Sequence, residues 1–167
     1  DVVSNTRHRD LVSLYSYWEG GINGGPPEDE DQMRSRIRDC MLDGALVETR
    51  LGELGQRLSL VMESLLSAEE YQIGLEELQA AKALAPLSEY DLQACLSELM
   101  QRGLLVSGSD NRFERMGQTL YAMPREMASA LDQCRLQKLR GVFGSLTLRG
   151  HLEQEYSAPE RSARITP

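Results

Sequence analysis

Aromatic residues, cysteine and long apolar runs are all scarce in this chain of 167 residues. Aromatics make up 5% of it, so leucine and methionine must fill most of the core, which favours helices over a β-sandwich. No apolar run approaches the roughly 18 residues of a membrane span, and no signal peptide is visible. We therefore expect a mainly α protein that makes no membrane contact.

The length suits one domain or two small ones that share a core. The first residue is Asp rather than Met, which leaves open a processed chain or a piece of a larger protein.

Cysteine and histidine, the usual metal ligands, are few and scattered. Cys40, Cys95 and Cys134 form no CxxC pair, and the first two fall on apolar faces of predicted helices, which favours small buried hydrophobes over a disulfide. This usage predicts a reducing compartment, the cytoplasm. His8 and His151 have no Cys or carboxylate at ligand spacing, so we predict neither a metal site nor a cofactor.

Catalytic signatures are absent as well. The stretch "EGGINGGPP" is rich in glycine but lacks the Lys and Ser/Thr of a phosphate-binding loop, so Gly20–Pro27 is predicted to be a flexible turn or connector. No residue pattern marks a nucleophile or an acid–base pair. We predict that the protein is not an enzyme.

Positive charge is in deficit, since the formal net charge is −8. Proteins that bind nucleic-acid phosphates usually carry a net positive charge, because their Lys and Arg side chains displace counterions from the phosphates. An acidic chain is explained either by solubility alone or by a basic protein partner.

The apolar residues recur mostly at helical spacing. The pattern predicts helices over residues 10–18, 28–42, 51–67, 73–84 and 88–102, with a last helix after Pro124 that fades beyond Arg140. Short strands are predicted over residues 45–49 and 104–106, and a ragged hairpin over residues 112–116 and 119–123.

One short sequence pattern occurs twice. "CMLDGALVET" and "ELMQRGLLVS" each contain an apolar helix end, a glycine and a short aliphatic run. Aligning Gly44 with Gly103 also places Asp29 on Ser88, at the predicted start of each helix. Each glycine is expected to cap its helix and release a strand, although any two amphipathic helices followed by strands would look alike.

The second copy lies in the order helix, helix, helix, strand, hairpin, helix, which is the order of a winged helix-turn-helix. We therefore predict a mainly α fold with a winged helix-turn-helix and a small β-hairpin wing, in tandem if the first copy is a degenerate unit. The expected division is residues 1–50, residues 51–140 and a C-terminal extension, 141–167, whose tail should be disordered.

The stretches "LSLVMESLLSAEEYQIGLEELQAAKALAPLSEYDLQACLSELMQRGLLV" and "LYAMPREMASAL" resemble the winged-helix region of bacterial helicase-associated proteins of the XPB/Ssl2-like group. The leading "DLVSLYSYW" is similar to the helical segment before that region. No GxxxxGK[ST] and no DExx box are present, so the resemblance implies an accessory module. Acidic tandem winged-helix subunits that bind kleisins in SMC complexes are similar in plan.

The predicted recognition helix, residues 88–102, is a poor reader of DNA, because its one basic residue lies at its C-terminal end. The basic residues concentrate on the predicted wing and the last helix. Candidate contacts for nucleic acid or an acidic partner are Arg102, Arg112, Arg115, Arg125, Arg135, Lys138 and Arg140. An ordinary solvated surface would explain the same charges.

These observations favour a non-catalytic winged-helix adaptor that binds a protein partner, within a DNA-processing or transcription assembly. The alternative is direct DNA binding through the wing and the last helix. A homodimer is left open.

Overall fold

A computed structural model describes residues 3–4, 6–20, 25–109 and 119–156, with the backbone alone described for residue 109 and residues 145–156. The chain divides into two compact units, residues 1–131 and residues 132–167. The predicted boundaries at residues 50 and 140 stay predictions. The Gly20–Pro27 loop falls partly outside the described residues.

Within the described ranges, helices predominate and three short strands form one antiparallel sheet, which confirms the mainly α class. The elements are α1 (His8–Glu19), α2 (Glu30–Met41), α3 (Gly44–Gly52), α4 (Gln56–Leu66), β1 (Gln72–Gly74), α5 (Leu75–Ala80), α6 (Glu89–Gln101), β2 (Val106–Ser109), β3 (Thr119–Ala122) and α7 (Arg125–Tyr156). In this part of the chain no helix combines the length and the apolarity that crossing a bilayer requires.

Side-chain caps start the two helices that the repeat aligns. The carboxylate of Asp29 accepts a hydrogen bond of 3.0 Å from the backbone N–H of Asp31 at the start of α2. The hydroxyl of Ser88 accepts one of 3.1 Å from the N–H of Asp91 at the start of α6. Each cap satisfies an N–H group that has no partner inside its helix. The prediction that these aligned positions begin equivalent helices is confirmed.

The strand predicted after Gly44 is wrong. Asp43 precedes this glycine, and its carboxylate accepts hydrogen bonds of 3.1 and 3.2 Å from the N–H groups of Ala45 and Leu46. This cap begins α3, so Gly44 opens a helix instead of closing one. Gly103, its aligned counterpart, does follow a helix, and its φ of 70° is the left-handed conformation predicted for a C-terminal glycine.

Two predicted helices have different bounds in the structure. The helix predicted over 51–67 begins at Gln56, because Leu51 belongs to α3. The helix predicted over 73–84 is replaced by β1, the short α5 and a 3-10 turn, Lys82–Leu84. Residues 72–74 adopt strand geometry because they pair with β3, almost 50 residues later in the sequence.

The sheet has the order β1-β3-β2, with β3 in the centre. Tyr121 of β3 lies opposite Ile73 of β1 and Ser107 of β2. The strand predicted over 104–106 begins at Val106, because Leu104 and Leu105 are buried in the core before the sheet starts. The predicted strand over 112–116 lies outside the described residues.

One hydrophobic core joins the N-terminal helices to the sheet-bearing part of residues 3–131. Trp18 of α1, Ile37 of α2 and Leu99 of α6 are all buried in it. Gly103 lies where these helices meet, since a Cβ placed on it would be 2.7 Å from Cε of Met41 and 3.2 Å from Cδ1 of Leu14. The left-handed backbone favours glycine there, and the ends of the Met41 and Leu14 side chains would have to shift for a larger residue.

The last helix extends further than its apolar pattern predicts. Pro124 precedes it, and the helix continues past Arg140 to Tyr156. Met127 and Leu131 are buried, whereas Leu136 and Leu139 are each 54% exposed. The tail predicted to be disordered, residues 157–167, lies outside the described residues.

We predict that Gly103→Ala lowers the free energy of unfolding by at least about 1–2 kcal/mol, the cost of the left-handed conformation for a residue with a Cβ. Displacement of Met41 and Leu14 adds to this cost. Urea unfolding measures the change. Gly52→Ala is the matched control, because its Cβ meets nothing within 4 Å. Equal effects of the two substitutions would contradict the role of Gly103.

We predict that Asp43→Ala destabilises the protein by about 1 kcal/mol through loss of the cap on α3. Asp43→Asn should retain most of the stability, because an amide oxygen also caps a helix. Urea unfolding and far-ultraviolet circular dichroism compare the two variants. A loss as large for Asn as for Ala would show that the cap is not what Asp43 contributes.

Candidate functional site

The solvent-exposed face of α6 is acidic and carries no basic side chain. Its exposed residues are Glu89, Tyr90, Gln93, Ala94, Ser97, Glu98 and Gln101. Tyr90 is 83% exposed in the first turn, where it offers a large aromatic surface to a partner. A face of this composition suits a protein segment better than a polyanion.

The N-terminal end of α6 is held in place by a network around Asp91. The hydroxyl of Ser88 donates a hydrogen bond of 2.8 Å to one carboxylate oxygen of Asp91. Arg57 of α4 donates one of 2.9 Å to the other oxygen, which ties α4 to α6. The Ser88 hydroxyl, followed by the Arg57 charge, lowers the pKa of Asp91.

The C-terminal end of α6 is bound to the N-terminal helices. The indole N–H of Trp18 donates a hydrogen bond of 3.0 Å to the carbonyl oxygen of Arg102. The guanidinium of Arg102 pairs with Glu98 one turn earlier and lies 5.3 Å from the ring centre of Tyr17. Arg102, predicted as a contact residue, is therefore engaged in holding α1 against α6.

Tyr17 is the centre of a small cation–aromatic cluster. Arg50 lies 5.6 Å from its ring centre, on α3, and the edge of Trp18 packs against it with ring centres 5.5 Å apart. Burial raises the pKa of Tyr17, although Arg102 and Arg50 act in the opposite direction. Tyr15 and Trp18, on the same helix, are buried in the core.

Hollows on the described surface of residues 3–131 include a small cavity and a larger groove. A cavity of about 140 Å³ beside Leu42 and Met127 falls below the roughly 300 Å³ of a small-molecule site. A groove of about 590 Å³ between α1 and the end of α6 is large enough. Its lining includes Arg7, Asp10 and Gln101, whereas small-molecule sites are mostly apolar.

The cysteines behave as packing residues. Cys95 is buried and Cys40 is half-buried, as the apolar pattern predicts. Burial is the main cause that raises the pKa of both thiols, which disfavours the reactive thiolate. Among the described residues no group of three or more His, Cys, Asp or Glu could hold a metal ion.

The predicted basic contacts that the structure describes are Arg102 at the end of α6 and four residues along α7. Arg125 is exposed at the first position of α7 and lies ten residues before Arg135, which is half-buried. Lys138 and Arg140 are exposed on the same helix. The wing residues Arg112 and Arg115 lie outside the described residues.

Comparison with family models, with curated proteins and with solved structures found no match to this chain. Its own surface is therefore the basis for any assignment of function.

An exposed apolar stripe on α7 is the feature that the sequence interpretation missed. Leu136 and Leu139 continue the apolar helical spacing of Met127 and Leu131, which predicts burial, yet both are exposed, as are Val142 and Phe143. A signal was present in the sequence, because no Asp or Glu occurs between Asp132 and Glu153. In a chain of net charge −8, a stretch of this length without an acid marks a distinct surface.

We predict that Asp91 makes stability depend on pH in the acid range. Because its folded-state pKa is lowered, its contribution is fully present above the unfolded-state pKa, about 3.9, and is lost as the pH falls through the folded-state pKa. Urea unfolding between pH 6 and pH 2 should show a smaller decline for Asp91→Asn than for wild type. Asp39→Asn, at an exposed position on α2, is the control. Identical pH profiles for Asp91→Asn and wild type would contradict this role.

Proposed function

We propose that this protein is a non-catalytic adaptor in which residues 56–131 form a winged helix that binds a protein partner. The order α4, β1, α5, α6, β2, β3, α7 supports this assignment, and so does the strand order β1-β3-β2. In this plan α6 is the recognition helix and the segment between β2 and β3 is the wing.

The acidic exposed face of α6 is the observation that carries the proposal. A recognition helix that enters a groove of DNA lies between two rows of phosphates and needs cations or neutral donors there. Here Glu89 and Glu98 are exposed, and cations beside α6 are already paired: Arg102 with Glu98 and Tyr17, and Arg57 with Asp91. Repulsion from phosphates favours a protein partner for this face, with Tyr90 as its aromatic anchor.

The charge of the whole N-terminal unit supports the same choice. Residues 1–131 contain 12 Lys and Arg and 22 Asp and Glu, a formal net charge of −10. An acidic surface of this size attracts basic protein segments and repels nucleic acid. The same proposal includes a location in the reducing cytoplasm. It also includes membership of a DNA-processing or transcription assembly, which the XPB/Ssl2-like resemblance implies.

Direct DNA binding is the second candidate. It is favoured by one observation, the stretch from 133 to 152, which contains Arg135, Lys138, Arg140 and Arg149 and no acidic residue. In this alternative α7, together with Arg112 and Arg115 of the wing, contacts phosphates while α6 contributes nothing.

Duplex-DNA binding by fluorescence anisotropy at about 50 and 200 mM salt separates the two candidates, because phosphate contacts weaken steeply over this range. The adaptor proposal predicts no binding at either salt concentration. Binding at 50 mM salt that Arg112→Glu/Arg115→Glu abolishes, and that the control Arg7→Glu/Arg9→Glu retains, would overturn it in favour of the DNA candidate.

The positive test uses Tyr90. The full chain should retain a partner protein from its own cell extract, and Tyr90→Ala should weaken that purified complex by about tenfold or more, as expected for an aromatic anchor. Ala94→Ser, at another exposed position on α6, is the control. A complex that tolerates Tyr90→Ala would remove α6 as the binding face.

A further inference from the structure

The exposed side of α7 has a composition unlike the rest of the molecule. Leu136 is 54% exposed, Leu139 54%, Val142 58% and Phe143 65%. Single exposed apolar residues are ordinary on protein surfaces, but four within eight positions of one helix form a contiguous patch. We call these four residues the α7 stripe.

The stripe occupies one side of the helix. At about 100° per residue, its four side chains cover an arc of about 120°, from Val142 at one edge to Leu136 at the other. Arg140 lies about 40° beyond Leu136 and Lys138 about 40° beyond Val142, whereas Arg135 lies within the arc, about 20° from Val142. An apolar arc of this width is what a helix presents to a packing partner.

The spacing within the stripe indicates that the partner is a helix. Leu136, Leu139 and Phe143 follow one another by three and then four residues, the a, d, a positions of a heptad. Residues 132–155 contain no Trp or Tyr, the residues that anchor at the headgroup level of a membrane. A helical protein segment therefore fits the stripe better than a lipid surface.

The charges beside the stripe indicate what kind of helix it binds. In the same heptad Arg135 occupies position g and Arg140 position e, which flank the contact between paired helices. A second copy of α7 in a parallel pair would place Arg135 against Arg140, cation against cation. A helix with Asp or Glu at these positions gains attraction instead.

We propose that the α7 stripe, with Arg135 inside its arc next to Val142 and Arg140 at its other edge, is the docking site for an acidic amphipathic helix of a partner protein. This inference rests on the proposed adaptor function. It assigns an acidic partner to α7, whereas the acidic face of α6 suits a basic one. The chain would then join a basic segment to an acidic helix.

The test uses the full chain and a synthetic four-heptad peptide with Leu at a and d and Glu at e and g. Labelled peptide is titrated by fluorescence anisotropy. We expect binding to wild type, a loss of tenfold or more for Leu139→Glu, and no change for Gln137→Glu, which adds the same charge at an exposed position off the stripe. Arg135→Glu/Arg140→Glu should lose the Glu peptide and gain a matched peptide with Lys at e and g.

Thermal unfolding of each variant verifies folding, which exposed positions should leave intact. Equal peptide affinity for wild type and Leu139→Glu overturns the inference. The inference is also overturned if the protein binds phosphatidylserine vesicles and the peptide cannot displace it from them, because the stripe would then be a membrane contact. A wild-type dimer in sedimentation velocity that Leu139→Glu dissociates would make it a self-association face.

These failures are distinguishable from failure of the adaptor proposal. A negative result on α7 leaves the Tyr90-dependent complex unaffected, whereas DNA binding through the wing would overturn the adaptor proposal whether or not α7 binds the peptide.

Discussion

The hydrogen bond from the indole of Trp18 to the carbonyl of Arg102 connects the two ends of residues 3–131. Carbonyl groups at the end of a helix have no partner inside it, and here a buried side chain from α1 supplies one. Gly103 follows at once in the left-handed conformation, with the side-chain ends of Met41 and Leu14 packed close to it. At this point the N-terminal helices and the sheet-bearing part share one core.

The packing of α1 against the C-terminal end of α6 also affects the charge that α6 presents to solvent. It brings Arg102 into contacts with Glu98 and Tyr17, while Arg57 pairs with Asp91 near the start of the helix. The exposed face of α6 itself is acidic and carries the highly exposed Tyr90 in its first turn. In the proposed winged helix, these contacts leave the recognition helix with an acidic and aromatic face, which suits the proposed protein partner.

Charge is segregated along the chain. Residues 1–131 carry a formal net charge of −10, whereas residues 133–152 contain four basic residues and no acidic one. The proposed adaptor uses this separation, since each surface attracts a partner that the other repels. The apolar stripe on α7 adds packing to the electrostatic attraction, which by itself is weak at an exposed surface.

Local signals determined much of the helical framework. Asp29, Ser88 and Gly103 act within a few residues of the helix ends that they specify, so their roles were predictable. The cap at Asp43 is equally local, but the repeated sequence pattern predicts a helix end at Gly44 and therefore misses the helix that begins there. The deficit of cations on α6 and their excess on α7 were likewise visible in the sequence. Only the tertiary structure decided that residues 72–74 form a strand, that Arg102 is engaged, and that Leu136 and Leu139 face solvent. Strand pairing and burial depend on partners far away in the sequence, whereas periodicity identifies an apolar helix face without saying whether anything covers it.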